Sequence, residues 1–197
     1  MGALETPRMT VEQYLAAEEV AELPSEFHDG EVLPIEGASP RHALISVGLG
    51  GALLTRLKGT NCMPFGTVRV RITVRDYVYP DLAVACGDLH AIDKAGSIEN
   101  PTVIFEVLSP STKGYDHADK FKLYRKLATF EEYVLVSQDE PYVEVFRKQA
   151  DNTWVFSTHQ GLDASFELKS LQVSIPLAEV YANVTWEGEP HGYDRGT

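Results

Sequence analysis

The period of apolar and polar positions changes several times along the chain, and each change marks an element. Thr10-Val-Glu-Gln13 has the form of a capping box, followed by Val11, Tyr14, Leu15 and Val20 at roughly helical spacing. The pattern predicts a short helix to about Glu22, ended by Pro24. Phe27-His-Asp-Gly-Glu-Val32 reads as a hairpin, because Asp29-Gly30 suits a tight primed turn. Ser39-Pro40 opens a second helix with a capping side chain and a first-turn proline. Its apolar stripe is Leu44, Ile45, Leu49, Ala52, Leu53 and Leu57, and Gly59 closes it.

Thr67 to Val74 alternates apolar with polar residues, which predicts a half-buried strand. Arg69, Arg71, Thr73 and Arg75 share one face of it, the wet face of the strand or a contact for a nucleic-acid backbone. Leu82 to Cys86 and Thr102 to Leu108 are short apolar runs, as in buried central strands, with a polar, loop-like Gly87 to Asn100 between them. Asp116 to Leu127 carries Phe121, Leu123, Tyr124 and Leu127 at helical spacing, and Glu132 to Val136 is another buried strand. Tyr142 to Arg147, Trp154 to Thr158 and Phe166 to Leu168 predict an additional antiparallel set, and Ile175 to Val180 a closing helical turn. This order predicts an α/β or α+β domain, a mixed sheet flanked by helices.

Length and composition narrow the picture. The 197 residues suit one domain, placed at residues 9–182, with tails at 1–8 and 188–197 that lack an apolar period. Two cysteines, Cys62 and Cys86, are too few for a disulfide scaffold, and no Cys/His cluster suggests zinc. No apolar run reaches the roughly 18 residues of a membrane span and no signal peptide is visible, so a cytoplasmic location is expected. The formal net charge of −12 argues against holding nucleic acid by overall charge. A local basic stripe remains in Lys113, Lys120, Lys122, Arg125 and Lys126, interrupted by Asp116 and Asp119; a solvated helix face would look the same.

The chemistry is concentrated in three residues. Glu106 lies inside Val103-Ile-Phe-Glu-Val-Leu108, where an unpaired carboxylate would be costly. Alternation puts it on the face of Ile104 and Leu108, opposite Phe105 and Val107. It is either a structural ion-pair partner of an arginine or a catalytic or metal-binding carboxylate. Asp81 opens the neighbouring buried run after Pro80, a position also common for a turn residue. Two carboxylates on adjacent central strands can converge on one hard cation such as Mg²⁺. Lys120 shares a helix face with Asp116 and Tyr124, and an ammonium beside a metal suits phosphodiester cleavage. Tyr124 is expected to pack that helix on the sheet, its hydroxyl at the rim.

Tyr79-Pro-Asp-Leu-Ala-Val84 followed by Ile104-Phe-Glu-Val-Leu-Ser-Pro-Ser-Thr112 resembles the PD-(D/E)XK nuclease superfamily, and within it the Uma-type restriction endonucleases, first catalogued as a domain of unknown function. Ser25 to Glu31, Ser39 to His42, Asp116 to Tyr124 and Glu132 to Val136 are similar to the same family. The resemblance spans roughly Met9 to Val180. It implies a restriction-endonuclease-like fold and a Mg²⁺-dependent deoxyribonuclease, with Mn²⁺ as a substitute, acting on DNA as a homodimer. Asp81 and Glu106 match the motif acids, and the Val107 carbonyl is implied as a third metal ligand. Leu108 stands where the motif lysine usually falls, and Lys120 matches the family's helical lysine, with Lys122 and Lys113 close by. Glu26 and His42 match positions bordering the site. The alternative is a catalytically inactive binding or regulatory module on the same fold.

Overall fold

Strands that are apolar on both faces need cover on both sides, and the chain supplies a different layer for each. The computed structural model describes residues 8–35, 37–88, 94, 96–109 and 113–186. Apart from Arg8, the expected tails lie outside the described residues, as do parts of the 87–100 loop and residues 110–112 of the Ser-Pro-Ser-Thr element.

Helix α1 (Val11–Glu18) is closed by a capping box in which Thr10 and Gln13 satisfy each other's backbone. It stops short of Glu22. Val20 and Leu23 are exposed and give further turns nothing to pack on. Strands β1 (Ser25–His28) and β2 (Glu31–Pro34) form the expected hairpin, with Asp29 and Gly30 at φ 47° and 96°. Helix α2 (Pro40–Leu57) is capped by Ser39 and buries Ile45, Leu49, Ala52, Leu53 and Leu57, whereas Leu44 of the expected stripe faces outward. Gly48 permits a close crossing, since a Cβ there would collide with the Val180 carbonyl.

Strand β3 (Cys62–Gly66) forms without any alternating pattern that would predict it. The expected long strand from Thr67 is instead a hairpin of β4 (Val70–Thr73) and β5 (Asp76–Val78). Arg69 is not on a wet face. It is buried, donates to Ser97 Oγ at 2.6 Å, lies 3.9 Å from Glu18 and rests over the rings of Tyr14 and Tyr77. Arg71 pairs with Glu99 at 2.8 Å.

The central strands are β6 (Leu82–Cys86) and β7 (Pro101–Leu108). A helical segment follows: α3 (Lys113–Tyr115), a π-helical turn (Asp116–Lys120) and α4 (Phe121–Tyr124). It ends before Leu127, and its wide turn replaces part of the regular helix expected from Asp116. Then come β8 (Glu132–Ser137), β9 (Tyr142–Lys148), β10 (Trp154–Gln160), β11 (Ser165–Leu168), β12 (Val173–Pro176) and α5 (Leu177–Val180).

The main sheet has the order β10-β9-β8-β7-β6-β3, with β7 and β8 parallel and the other pairs antiparallel. A second sheet has the order β2-β1-β5-β4, and β11 pairs with β12 separately. One face of the main sheet packs Leu82, Val84, Val103, Phe105 and Val107 against α2, β11, β12 and α5. The other packs Ala83, Ile104, Leu108, Tyr133 and Leu135 against Tyr124, Phe130 and the β4–β5 hairpin. Each large side chain so buried contributes about 1.5–3 kcal/mol. Cys62 and Cys86 stand opposite each other in the β3–β6 ladder and form a disulfide. Among the described residues, no helix is long and apolar enough to cross a membrane.

Glu132 is a buried carboxylate with a purely architectural setting. It accepts from Arg147 Nε at 2.6 Å, from the N–H groups of Lys169 and Ser170 at 3.1 Å, and from Ser170 Oγ. Removing one member of such a buried set is typically worth about 3–5 kcal/mol. Glu132→Ala is therefore expected to lower unfolding free energy by about that much in a urea titration, against about 1 kcal/mol for Thr10→Ala at the exposed helix cap.

Candidate active site

The β6–β7 register decides where the two motif acids meet. Leu82 pairs with Phe105, so Asp81 and Glu106 occupy the next facing positions, on the sheet face that carries Ala83 and Ile104. Asp81 Oδ2 accepts the Val107 N–H at 2.7 Å and lies 3.1 Å from His42 Nε2. This backbone bond locks the aspartate to the strand that carries Glu106. His42 arrives from the first turn of α2, where the Ser39 hydroxyl accepts its N–H at 3.1 Å. Burial works against the protonated imidazole. The hydrogen bond and charge of Asp81, with Asp116 and the Val107 backbone adding to them, outweigh it and raise the His42 pKa.

Glu106 is 3% exposed, and its Oε1 receives two donors: Lys120 Nζ at 3.1 Å and the Tyr124 hydroxyl at 2.8 Å. Tyr124 is fully buried, so its hydroxyl does not sit at a solvent rim as the sequence suggested. The π-helical turn directs both Asp116 and Lys120 inward, and Tyr133 holds that turn by donating to the Asp116 carbonyl at 3.0 Å. Such wide turns recur at functional sites. Lys120 Nζ also lies 3.3 Å from Glu26 Oε1 and 3.6 Å from Asp116 Oδ1.

Glu26 belongs to the same cluster. It accepts the Tyr79 N–H at 3.2 Å and the Tyr115 hydroxyl at 2.9 Å, and lies 3.3 Å from His28 Nε2. Burial alone would raise its pKa, but His28, Lys120, Tyr79 and Tyr115 together hold it below the ordinary glutamate value. Lys120 shows the converse. Burial disfavours the ammonium, yet Glu106, Glu26, Asp116 and Asp81 keep its pKa above the ordinary lysine value. Glu106 carries the strain of the cluster: burial, with the charges of Asp81 and Asp116, pushes it well above the usual range despite Lys120 and Tyr124.

The comparisons with known proteins bear on the family and the fold. The model of the Uma2 family, described as putative restriction endonucleases, matches residues 11–178. The chain belongs to the Uma2 family. Two uncharacterized proteins of Synechocystis sp. are similar to it. One is 31% identical over 183 residues, 91% of this chain and 95% of the relative. The other is 32% identical over 171 residues, 85% and 97%. A solved structure with the same fold is the crystal structure of a putative nuclease belonging to DUF820 from Anabaena variabilis. It superposes with a TM-score of 0.71 at 16% identity, covering 88% of this chain and 98% of that one.

In this Uma2 chain the residues singled out by sequence do not all converge. Asp81, Glu106, Lys120, Glu26 and His42 lie in one contiguous polar cluster, and Val107 joins it through its backbone. Lys122 is exposed and makes none of the contacts that Lys120 makes. The basic stripe is broken at its centre: Lys120 turns inward, while Lys122, Arg125 and Lys126 stay exposed, Lys126 pairing with Asp76 at 3.3 Å and Arg125 lying over the Phe121 ring. The partner of Glu106 is a lysine rather than an arginine. Sequence reasoning gave no role to Tyr115, His28, Tyr79 or Asp116. Only Asp116 had a signal, its i,i+4 spacing to Lys120.

Glu106 gives a pH signature. Its folded carboxyl keeps a proton well above the ordinary value of 4.5. Between those values the folded state binds more protons than the unfolded state, so its contribution to stability falls as pH rises through the window. In metal-free buffer, Glu106→Gln is expected to gain stability relative to wild type as pH rises above the ordinary glutamate value. Paired denaturant titrations across that range check this, and a pH-independent difference would contradict it.

Proposed function

We propose that the chain is a divalent-metal-dependent endonuclease that hydrolyses DNA phosphodiester bonds. The observation that carries this reading is the charge balance of the cluster. Glu26, Glu106 and Asp116 lie 3.1–3.6 Å from the Lys120 ammonium, Asp81 faces Glu106 across the β6–β7 ladder, and burial, then the charges of Asp81 and Asp116, drives Glu106 upward. A hard cation beside Asp81 and Glu106 would relieve that excess. Among the described residues, no three His, Cys, Asp or Glu side chains gather closely enough to hold a metal by themselves. Two carboxylates and a backbone carbonyl fit Mg²⁺, which keeps several waters and takes few protein ligands; Mn²⁺ would substitute. Asp81, Glu106 and the Val107 carbonyl are the residues that would hold it, and the ion would supply Lewis acidity toward a phosphoryl oxygen and its bound water.

The chain's own groups supply the remaining functions. Lys120 projects an ammonium beside Glu106, where it stabilises charge developing on the phosphoryl group. Glu26 and Asp116 position Lys120 and keep it protonated. His42 orients Asp81 through Oδ2. The description of the Uma2 family, and the DUF820 neighbour described as a putative nuclease, support a nuclease. DNA as substrate and a homodimer that cuts both strands are part of the same proposal.

Plasmid cleavage in Mg²⁺ or Mn²⁺ tests it. Wild type is expected to nick or linearise DNA, Asp81→Asn and Glu106→Gln to be inactive, and Lys120→Met to lose about 10²–10³-fold in kcat. Mg²⁺ is also expected to raise the melting temperature of wild type and not of Asp81→Asn. A wild type as inert as Glu106→Gln on every form of DNA, while still binding it, would favour the inactive binding module.

A further inference from the structure

A groove of about 430 Å³ that Asp81 helps to line runs between α2 and the edge strand β3. Its size falls in the range of small-ligand sites. Its polarity is uneven. Val47 and Leu54 of α2 and Pro64 of β3 give it apolar walls. Thr67, whose N–H donates to the Asp81 carbonyl at 3.1 Å, and Ser46, one turn beyond His42, sit toward Asp81.

Val47 and Leu54 are 73% and 63% exposed, and Gly51 lies between them on the same helix face. A Cβ at Gly51 would meet nothing within 4 Å, so no close contact demands glycine there. Glycine within a helix forgoes about 1 kcal/mol relative to alanine. Any larger side chain at that position would grow into the groove.

We propose that this groove is a nucleoside subsite, holding the base and sugar attached to the phosphate at Asp81. The inference rests on the nuclease reading and adds to it how the substrate is seated. Among the described residues, no lysine, arginine or histidine lines the groove, so the anionic part of a ligand belongs at the Asp81 end with the cation. The uncharged, flat part fits the apolar length. Those walls carry no side-chain hydrogen-bonding groups, so the subsite accepts any base and favours those with more apolar surface.

The test uses the full chain with ¹³C-labelled Val and Leu methyls, in Mg²⁺ buffer, titrated with 2′-deoxyadenosine 5′-monophosphate and, separately, 2-deoxyribose 5-phosphate. The nucleotide is expected to shift the Val47 and Leu54 methyl resonances, and the sugar phosphate to leave them unmoved. Gly51→Leu is expected to weaken nucleotide binding at least about tenfold while raising the melting temperature, because leucine is the better helix former. The proposal is overturned if neither methyl responds, or if Gly51→Leu binds the nucleotide as wild type does. It is also overturned if Gly51→Leu changes the sedimentation coefficient from that of an oligomer to that of a monomer, which would give the groove to a second copy of the chain. The two readings separate cleanly. DNA cleavage without groove shifts removes the subsite alone, and groove shifts without any cleavage remove the nuclease alone.

Discussion

The buried contact between Lys120 and Glu106 holds the candidate site together. Its ammonium lies within 3.1–3.6 Å of carboxylates from three places, Glu106 on β7, Glu26 on β1 and Asp116 in the π-helical turn. Opposite charges at about 4 Å attract by roughly 4 kcal/mol at an effective dielectric near 20. One cation therefore pins the small sheet, the main sheet and the crossover segment to a common point. The arrangement is satisfied geometrically and overcharged electrically. Tyr115 and Tyr124 spend their hydroxyls on the carboxylates, and Tyr79 adds a backbone donor. Even so, the carboxylates outnumber the one lysine that contacts them.

The elements with a strong local signal were legible in the sequence. Thr10 and Gln13, Asp29-Gly30, Ser39-Pro40 and the apolar runs of β6 and β7 each state their structure within a few residues. So did the oddity of Glu106, because a carboxylate in a buried strand stands out without any knowledge of its partners. What stayed hidden is set by long-range contacts. Strand β3 includes Pro64 and Gly66 and is a strand because β6 lies beside it. Arg69 alternates like a solvent-facing residue yet is buried over Tyr14 and Tyr77, rings distant in sequence. Tyr115 and His28 join the site from different elements, and their 2.9 Å contact leaves no trace in spacing.

Charge distribution changes what the net value of −12 means. Several acidic groups that count toward it are consumed internally: Glu26, Glu106 and Asp116 around Lys120, Glu132 by Arg147, Glu18 by Ser25 and Tyr79. The surface is thus less hostile to a polyanion than the formal sum implies. The expected basic stripe gives little help in return, since its central lysine is buried. Binding that relies on few surface cations has a shallow salt dependence.

Leu108, two residues after Glu106, is packed among Ile104, Leu135 and Tyr124, so the cation beside Glu106 comes from the crossover segment. Supplying the ammonium from the crossover segment separates Asp81 and Glu106 from their cation along the chain. The acids are brought together by β6 and β7 pairing, whereas Lys120 joins them only when the segment docks and Tyr133 clasps it. Lys120 thus completes the cluster only in the fully packed molecule, where β1, β7 and the crossover segment meet.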